Sequence, residues 1–145
     1  MTDRPDLAAM IVPLGRALMA AEQPVLAAHG LTMWAYVVLL HLDEGPARGQ
    51  GVLAQEIGAD KTRIIAVLDD LQERGLIERH PDPADRRARL LALTPEGRSL
   101  RDAAQAGIQA QEDRLLAKLP AADRHGFVNA LIALAALPRD EIIGA

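Results

Sequence analysis

Apolar residues recur at two different periods along the chain, and the change of period divides it into elements. Between residues 60 and 74, Ile64, Leu68 and Leu71 fall at helical spacing, which predicts an amphipathic helix. Asp60 is a suitable N-cap, and Gly75 stands where a C′ glycine would end that helix. Two short β-like runs follow, at 76–80 and 89–93, joined by residues 81–88. Pro81 and Pro83 are expected to deny this connector a ladder, leaving a hairpin loop that projects into solvent. Arg86 and Arg87 would sit at its tip, with Arg89 at the base of the returning strand.

Upstream, Thr2 and Pro5 suit a helix start, and Leu7, Met10, Ile11, Leu14 and Leu18 form an apolar stripe. Pro13 lies inside the stripe and is expected to kink it or cost a backbone bond; Pro24 breaks the pattern again. Gly30 closes the segment and Thr32 can cap the next. Residues 32–42 are apolar nearly all round, which predicts a hub helix buried on several sides. The run from Asp43 to Pro46 ends it, and residues 45–51 read as a glycine-rich loop with room for one short strand. A short helix at 52–57 ends at Gly58, and Ala59 and Asp60 turn into the 60–74 helix. Two short helices joined by a tight glycine-containing turn fit a helix-turn-helix. With the arginine-tipped hairpin attached, the plan is that of a winged helix-turn-helix, which holds duplex DNA with helix and wing together.

Downstream, Thr94 and Pro95 open a helix as N-cap and first residue, with Glu96 near the positive end of its dipole. Its sparse stripe of Leu100, Ala104, Ile108, Leu115 and Leu119 predicts a helix as far as Leu119. Pro120 starts a last helix with Phe127, Leu131 and Leu134 on one face and Val128, Ile132 and Ala135 beside them; Pro138 stops it. These terminal helices bury little within a small monomer, so a partner subunit is expected.

Composition narrows the picture. The chain has 145 residues, enough for one domain with a core, and half are hydrophobic. Only Trp34, Tyr36 and Phe127 are aromatic, so the core must be aliphatic, which suits packed helices better than a sandwich. The absence of cysteine excludes disulfides, zinc–cysteine sites and thiol redox sensing. Neither a signal peptide nor a membrane span is readable, and a soluble cytoplasmic protein is the expectation. The net charge of −4 is unevenly spread: residues 48–101 hold ten basic and nine acidic side chains, the remainder six and eleven. Within residues 79–89 four arginines face two aspartates. The positive field is local, and the outer body would repel DNA in a wrong orientation.

The hairpin and its flanks resemble the multiple-antibiotic-resistance regulator (MarR) family of bacterial transcription factors. The most specific match is the succession Asp82, Pro83, Ala84, Asp85, Arg86, Arg87, Ala88, followed after a short strand by Thr94, Pro95, Glu96 and Gly97. Residues 71–79 match too, and looser similarity covers roughly Leu14 to Leu134. The resemblance implies a mainly α (α+β) fold in a single domain. Residues 32–94 would be the winged helix-turn-helix, and residues 1–31 and 95–145 dimerisation helices. It implies a DNA-binding transcriptional regulator, repressors being commoner than activators, working as a homodimer on a pseudo-palindromic operator. The competing reading is a winged-helix module that binds protein without DNA, whose wing would not need clustered arginines.

At the DNA, the N-terminal end of the recognition helix reaches base edges, so Lys61, Thr62 and Arg63 come first. Arg63 is the best base reader, because its fork pairs with guanine O6 and N7. Family members often carry further polar residues one turn on; here those positions are Ile65, Ala66 and Val67. That departure leaves few side chains for direct readout and points towards DNA shape. Arg86 or Arg87 should enter the minor groove, and Arg87 is the preferred probe. In the family the aspartate before the arginine pair holds the loop by an ion pair, a role that falls to Asp85 with Arg86 as scaffold.

The remaining chemistry is sparse. His29, His41, His80 and His125 are widely separated with no partner at metal-ligand spacing, so no metal and no cofactor is expected. Asp69 and Asp70 adjoin on one helix and point apart. Neither a phosphate-cradling loop nor a nucleophile elbow is present, which argues against an enzyme. Family members often bind small phenolic or other aromatic anions between the DNA-binding lobe and the dimer helices. Here Trp34, Tyr36 and Arg16 could form an apolar slot with one cationic anchor. Alternatively, Trp34 and Tyr36 simply fill a core poor in aromatics.

Overall fold

A computed structural model describes residues 3–42 and 48–144 of the chain. Backbone contacts divide it into two compact units, Met1–Ile108 and Gln109–Ala145. The first unit contains α1 (Leu7–Ala28), α2 (Met33–Leu40), β1 (Arg48–Gly49), α3 (Gln50–Ile57), α4 (Lys61–Glu73), β2 (Ile77–Asp82), β3 (Asp85–Leu93) and most of α5 (Pro95–Leu116). The second holds the end of α5, then α6 (Ala121–Ala135) and α7 (Arg139–Ile143). No single helix among the described residues is long and apolar enough to cross a membrane.

Local chemistry sets the helix boundaries. The Thr32 hydroxyl accepts the Ala35 N–H at 3.1 Å to start α2, and Asp60 accepts the Arg63 N–H at 2.8 Å to start α4. Helix α4 ends in a Schellman turn: Leu76 N–H donates to the Leu71 carbonyl and Gly75 N–H to that of Gln72, with Gly75 at φ 73°. Helix α1 closes the same way at Gly30. Gly58, at φ 69°, makes the turn between α3 and α4.

Several sequence expectations give way. Helix α1 runs unbroken through both Pro13 and Pro24. Ala9 and Ala20, whose carbonyls lose their partners to those rings, occupy exposed positions where water can serve them. Thr2, offered as a cap, lies outside the described residues, and Asp6 takes the N-cap position. The helix ending at 43–46 and residues 45–47 of the 45–51 loop also lie outside them; within what is described, β1 supplies the short strand and α3 begins at Gln50, two residues early. Helix α2 buries Ala35, Tyr36, Val38 and Leu39 but leaves Leu40 exposed. Helix α5 stops at Leu116 rather than Leu119, because Pro120 disfavours helical backbone in the residue before it. Beyond Pro138 the chain makes one more short helix, α7.

The core of the first unit is aliphatic, as its composition requires. Leu26, Val38, Leu39, Leu42, Leu53, Ile64, Leu68, Leu71, Ile77 and Leu91 are almost wholly buried, so α1, α2, α3, α4 and the sheet share one interior. In the second unit, α6 and α7 bury no residue, and Leu131, Ile132 and Leu134 are among their exposed apolar side chains.

The wing is an antiparallel sheet in the order β1-β3-β2, with Ile77 opposite Leu93 and Arg48 opposite Leu91. Its strands are longer than the sequence suggests. Pro81 pairs with Arg89 inside the ladder, and the turn shrinks to Pro83 and Ala84. Proline is tolerated because β2 is an edge strand. At the neck of the wing, the buried Thr94 hydroxyl donates to the Gly75 carbonyl at 2.7 Å and accepts the Gly97 N–H at 3.0 Å. The Thr94 N–H donates to the Leu76 carbonyl at 3.2 Å. Gly97 presses so closely on this junction that a Cβ there would overlap the Leu76 carbonyl oxygen and lie 2.9 Å from Leu93 Cδ1.

Gly97→Ala is therefore expected to lower the thermal midpoint, at a cost of about 1–3 kcal/mol from overpacking against a backbone that cannot retreat. Differential scanning calorimetry checks it; an unchanged midpoint would show that the neck has slack.

Candidate nucleic-acid interface

The interface predicted from the sequence is carried by two elements of the first unit, the start of α4 and the far end of the wing. Lys61, Thr62 and Arg63 form the first turn of α4 and are all exposed. The buried stripe of Ile64, Leu68 and Leu71 fixes the opposite face of that helix in the core. Further along, Ile65 and Ala66 are exposed and Val67 is half-buried, so an apolar surface follows the first turn.

The wing tip is shaped by two aspartates. Asp82 accepts the Ala84 N–H at 2.9 Å, and Asp85 accepts the Arg87 N–H at 3.0 Å. These are Asx turns, which hold a tight bend without glycine. Pro81 is opposite Arg89 and Asp82 opposite Asp85, so Arg86, Arg87 and Ala88 bulge from β3 with no counterpart on β2. The arginines thus belong to a bulged strand beside the turn, not to the apex of a long loop. Asp85 steadies them through the Arg87 backbone; no Asp85–Arg86 ion pair forms among the described residues, which departs from the ion pair implied by the family resemblance.

The partnering of the cations separates two groups. Arg48 pairs with Glu56, Arg74 with Asp70 at 3.7 Å, Arg79 with Asp69, and Arg101 with Asp102 at 3.0 Å. Arg74 also donates to the Gly30 carbonyl at 2.9 Å, tying the end of α4 to the α1–α2 junction. Arg79, the most enclosed of them, fastens β2 to α4. By contrast, the side chains of Lys61, Arg86, Arg87 and Arg89 are exposed and have no ion-pair or hydrogen-bond partner among the described residues. Arg16 on α1 is likewise exposed and unpaired among the described residues of this unit, but the recognition turn and the wing carry four such cations.

The residues considered for a ligand slot are not joined. Arg16 is exposed on α1, with no hydrogen bond, ion pair or ring contact to Trp34 or Tyr36 among the described residues. Tyr36 is buried in the core, and half-buried Trp34 has a different cation over its ring, Arg63, at 5.7 Å. Sequence reasoning treated Arg63 and Trp34 as parts of separate sites; no local signal links them. An open depression lies elsewhere, at the wing neck, lined by Gln72, Ile77, Arg79, Thr94 and Glu96. His29 and His41 are helix-end residues whose Nδ1 atoms lie 2.8 Å from the Val25 and Val37 carbonyls, so each must donate a proton there.

A helix-turn-helix followed by an arginine-bearing β-hairpin defines a winged-helix protein. The sequence model of the MarR family matches residues 29–88. A MarR-family transcriptional regulator from Rhodococcus sp. RHA1 is 31% identical, covers 90% of this chain and 94% of its own, and superposes with a TM-score of 0.74. The chain belongs to the MarR family of transcriptional regulators. It is also 30% identical to a putative transcriptional regulatory protein for the hcr operon of Thauera aromatica, over 70% of this chain and 61% of that protein. This chain thus spans less than two thirds of that relative's length. The HTH-type transcriptional repressor Rv2887 of Mycobacterium tuberculosis is 27% identical over 88% of this chain and 91% of its own. Structures of Rv2887 with DNA (26% identity, 92% and 100% coverage, TM-score 0.75) and with salicylic acid (27%, 92% and 99%, 0.73) share this fold.

Asp85→Ala should free the Arg87 amide while Asp85→Asn keeps its acceptor. Amide hydrogen exchange at Arg87 is expected to quicken roughly fivefold to tenfold in the alanine variant only, the worth of one hydrogen bond. Equal rates in both would remove Asp85 from the architecture of the tip.

Proposed function

We propose that the protein is a transcriptional repressor, and not an enzyme, that binds a pseudo-palindromic operator as a homodimer in the cytoplasm. The observation that carries this reading is the unpaired charge of Lys61, Arg86, Arg87 and Arg89, when the other ion pairs of the same unit are closed. Cations left without carboxylate partners at a helix start and a hairpin tip suit phosphate and groove contacts. The first turn of α4 would enter the major groove, with Arg63 reading a base edge. Arg87, on the bulged strand, would probe the adjacent minor groove, with Arg86 and Arg89 on the backbone and Asp85 as the brace.

Exposed apolar side chains on α1 (Leu7, Met10, Ile11) and on α6 (Leu131, Ile132, Leu134) suit burial against a second copy. A dimer would set two recognition helices about one DNA turn, roughly 34 Å, apart. Rv2887, which has been captured with both DNA and salicylic acid, supports release by a small aromatic anion. Such a ligand can weaken DNA binding only by preferring a different spacing of the two lobes.

Arg87→Ala is expected to weaken binding to a duplex selected from a random pool by about 1–3 kcal/mol with the fold unchanged. Equal gel-shift affinities would remove the wing from the mechanism. For the wild type, log K should fall against log salt with a slope between about −4 and −7, given the four free cations in each subunit's recognition turn and wing. A flat dependence would mean that the winged helix binds protein instead. Millimolar salicylate is expected to raise the thermal midpoint, and an unchanged midpoint would remove release by a small aromatic anion from the mechanism.

A further inference from the structure

The start of α4 is held by two contacts of different kinds. Asp60 caps the helix through the Arg63 N–H, and its other oxygen stands 4.0 Å from Arg63 Nε. Both side chains of that pair are largely exposed, 55% for Arg63 and 69% for Asp60, so water competes for the charge contact. The second contact is the indole of Trp34, with the guanidinium carbon 5.7 Å from the ring centroid. Trp34 is half-buried near the start of α2, a helix whose Ala35, Tyr36, Val38 and Leu39 are locked in the core. Its ring is therefore the fixed member of the pair and Arg63 the mobile one. Tryptophan offers the strongest π-face for a cation, and arginine is the commoner cation over it.

We propose that Trp34 is a positioning residue for the recognition helix: its ring holds the Arg63 guanidinium in place before DNA arrives. Base selectivity then depends on an aromatic residue one helix away from the groove. This rests on Arg63 reading a base, as proposed above. An arginine side chain loses considerable rotamer freedom when it binds, and a partner that restricts it beforehand lowers that loss. The arrangement matters more here because Ile65, Ala66 and Val67 add no hydrogen-bonding side chain to the next turn, so direct readout is concentrated in Arg63. It also accounts for a chain with three aromatic residues placing its single tryptophan at the α2–α4 contact, not in the interior.

The test compares binding to a selected operator duplex with binding to a random duplex for the full chain. The variants are Arg63→Ala, Trp34→Leu, Trp34→Phe and the Arg63→Ala/Trp34→Leu double substitution. Arg63→Ala should reduce the operator preference at least tenfold, the worth of one base contact. Trp34→Leu should reduce it threefold to tenfold with an unchanged salt slope, because every cation remains; Trp34→Phe should recover most of the loss. In the Arg63→Ala background, Trp34→Leu should cost nothing further. Full preference in Trp34→Leu, or an undiminished loss in the double variant, overturns the positioning role while leaving Arg63 as the base reader. Full preference in Arg63→Ala removes the base reading itself, and the positioning role with it. Trp34 emission supplies a readout that needs no change at Trp34. Acrylamide should quench it more readily in Arg63→Ala than in the wild type, and identical quenching would show that the guanidinium does not cover the ring.

Discussion

One hydroxyl group governs the geometry of the DNA-binding unit. Thr94 is buried where four elements meet, and its hydroxyl works in both directions, as donor to Gly75 beyond the end of α4 and as acceptor from Gly97 in the first turn of α5. Its own N–H reaches Leu76 just before β2, and Leu93 beside it ends β3. Loss of the hydroxyl would leave the buried Gly97 N–H without its partner, the expensive way to lose a hydrogen bond. The angle between recognition helix and wing is consequently set largely by main chain, with the Arg79–Asp69 pair as a second tie. Main-chain fastening suits two surfaces that must meet one ligand together, since side chains alone would let them drift.

The same unit divides its arginines by task. Arg48, Arg74 and Arg79 are spent on holding elements in place, whereas Arg86, Arg87 and Arg89 reach outward. A net charge of −4 says nothing of this division. What matters for a polyanion is how many cations remain unneutralised on the approaching surface, and an acidic remainder discourages other orientations.

Features decided within a few residues were legible in the sequence. The caps at Asp60, Thr32 and Thr94, the glycine at 75 and the stripe of Ile64, Leu68 and Leu71 each depend on near neighbours and stand where expected. Features decided by distant neighbours were not. Pro81 reads as a strand breaker until β2 is known to be an edge, and Pro24 reads as a helix breaker until its turn is known to face solvent. The bulge at Arg86–Ala88 depends on cross-strand register, which two prolines obscure. Of the candidate site, the residue types and their elements could be read. The contact of Trp34 with Arg63 could not, because residues 29 positions apart in different helices share no periodic signal.

Pro81 has a further effect through its place on β2, the outer strand of the wing. An open strand margin ordinarily invites a neighbouring molecule to zip onto it, and a ring nitrogen without hydrogen cannot take part in that zipper. Pro83, two positions on, shortens the vulnerable margin again. A hairpin built to stand out from the body can in this way stay solitary, even when many copies crowd along one nucleic-acid thread.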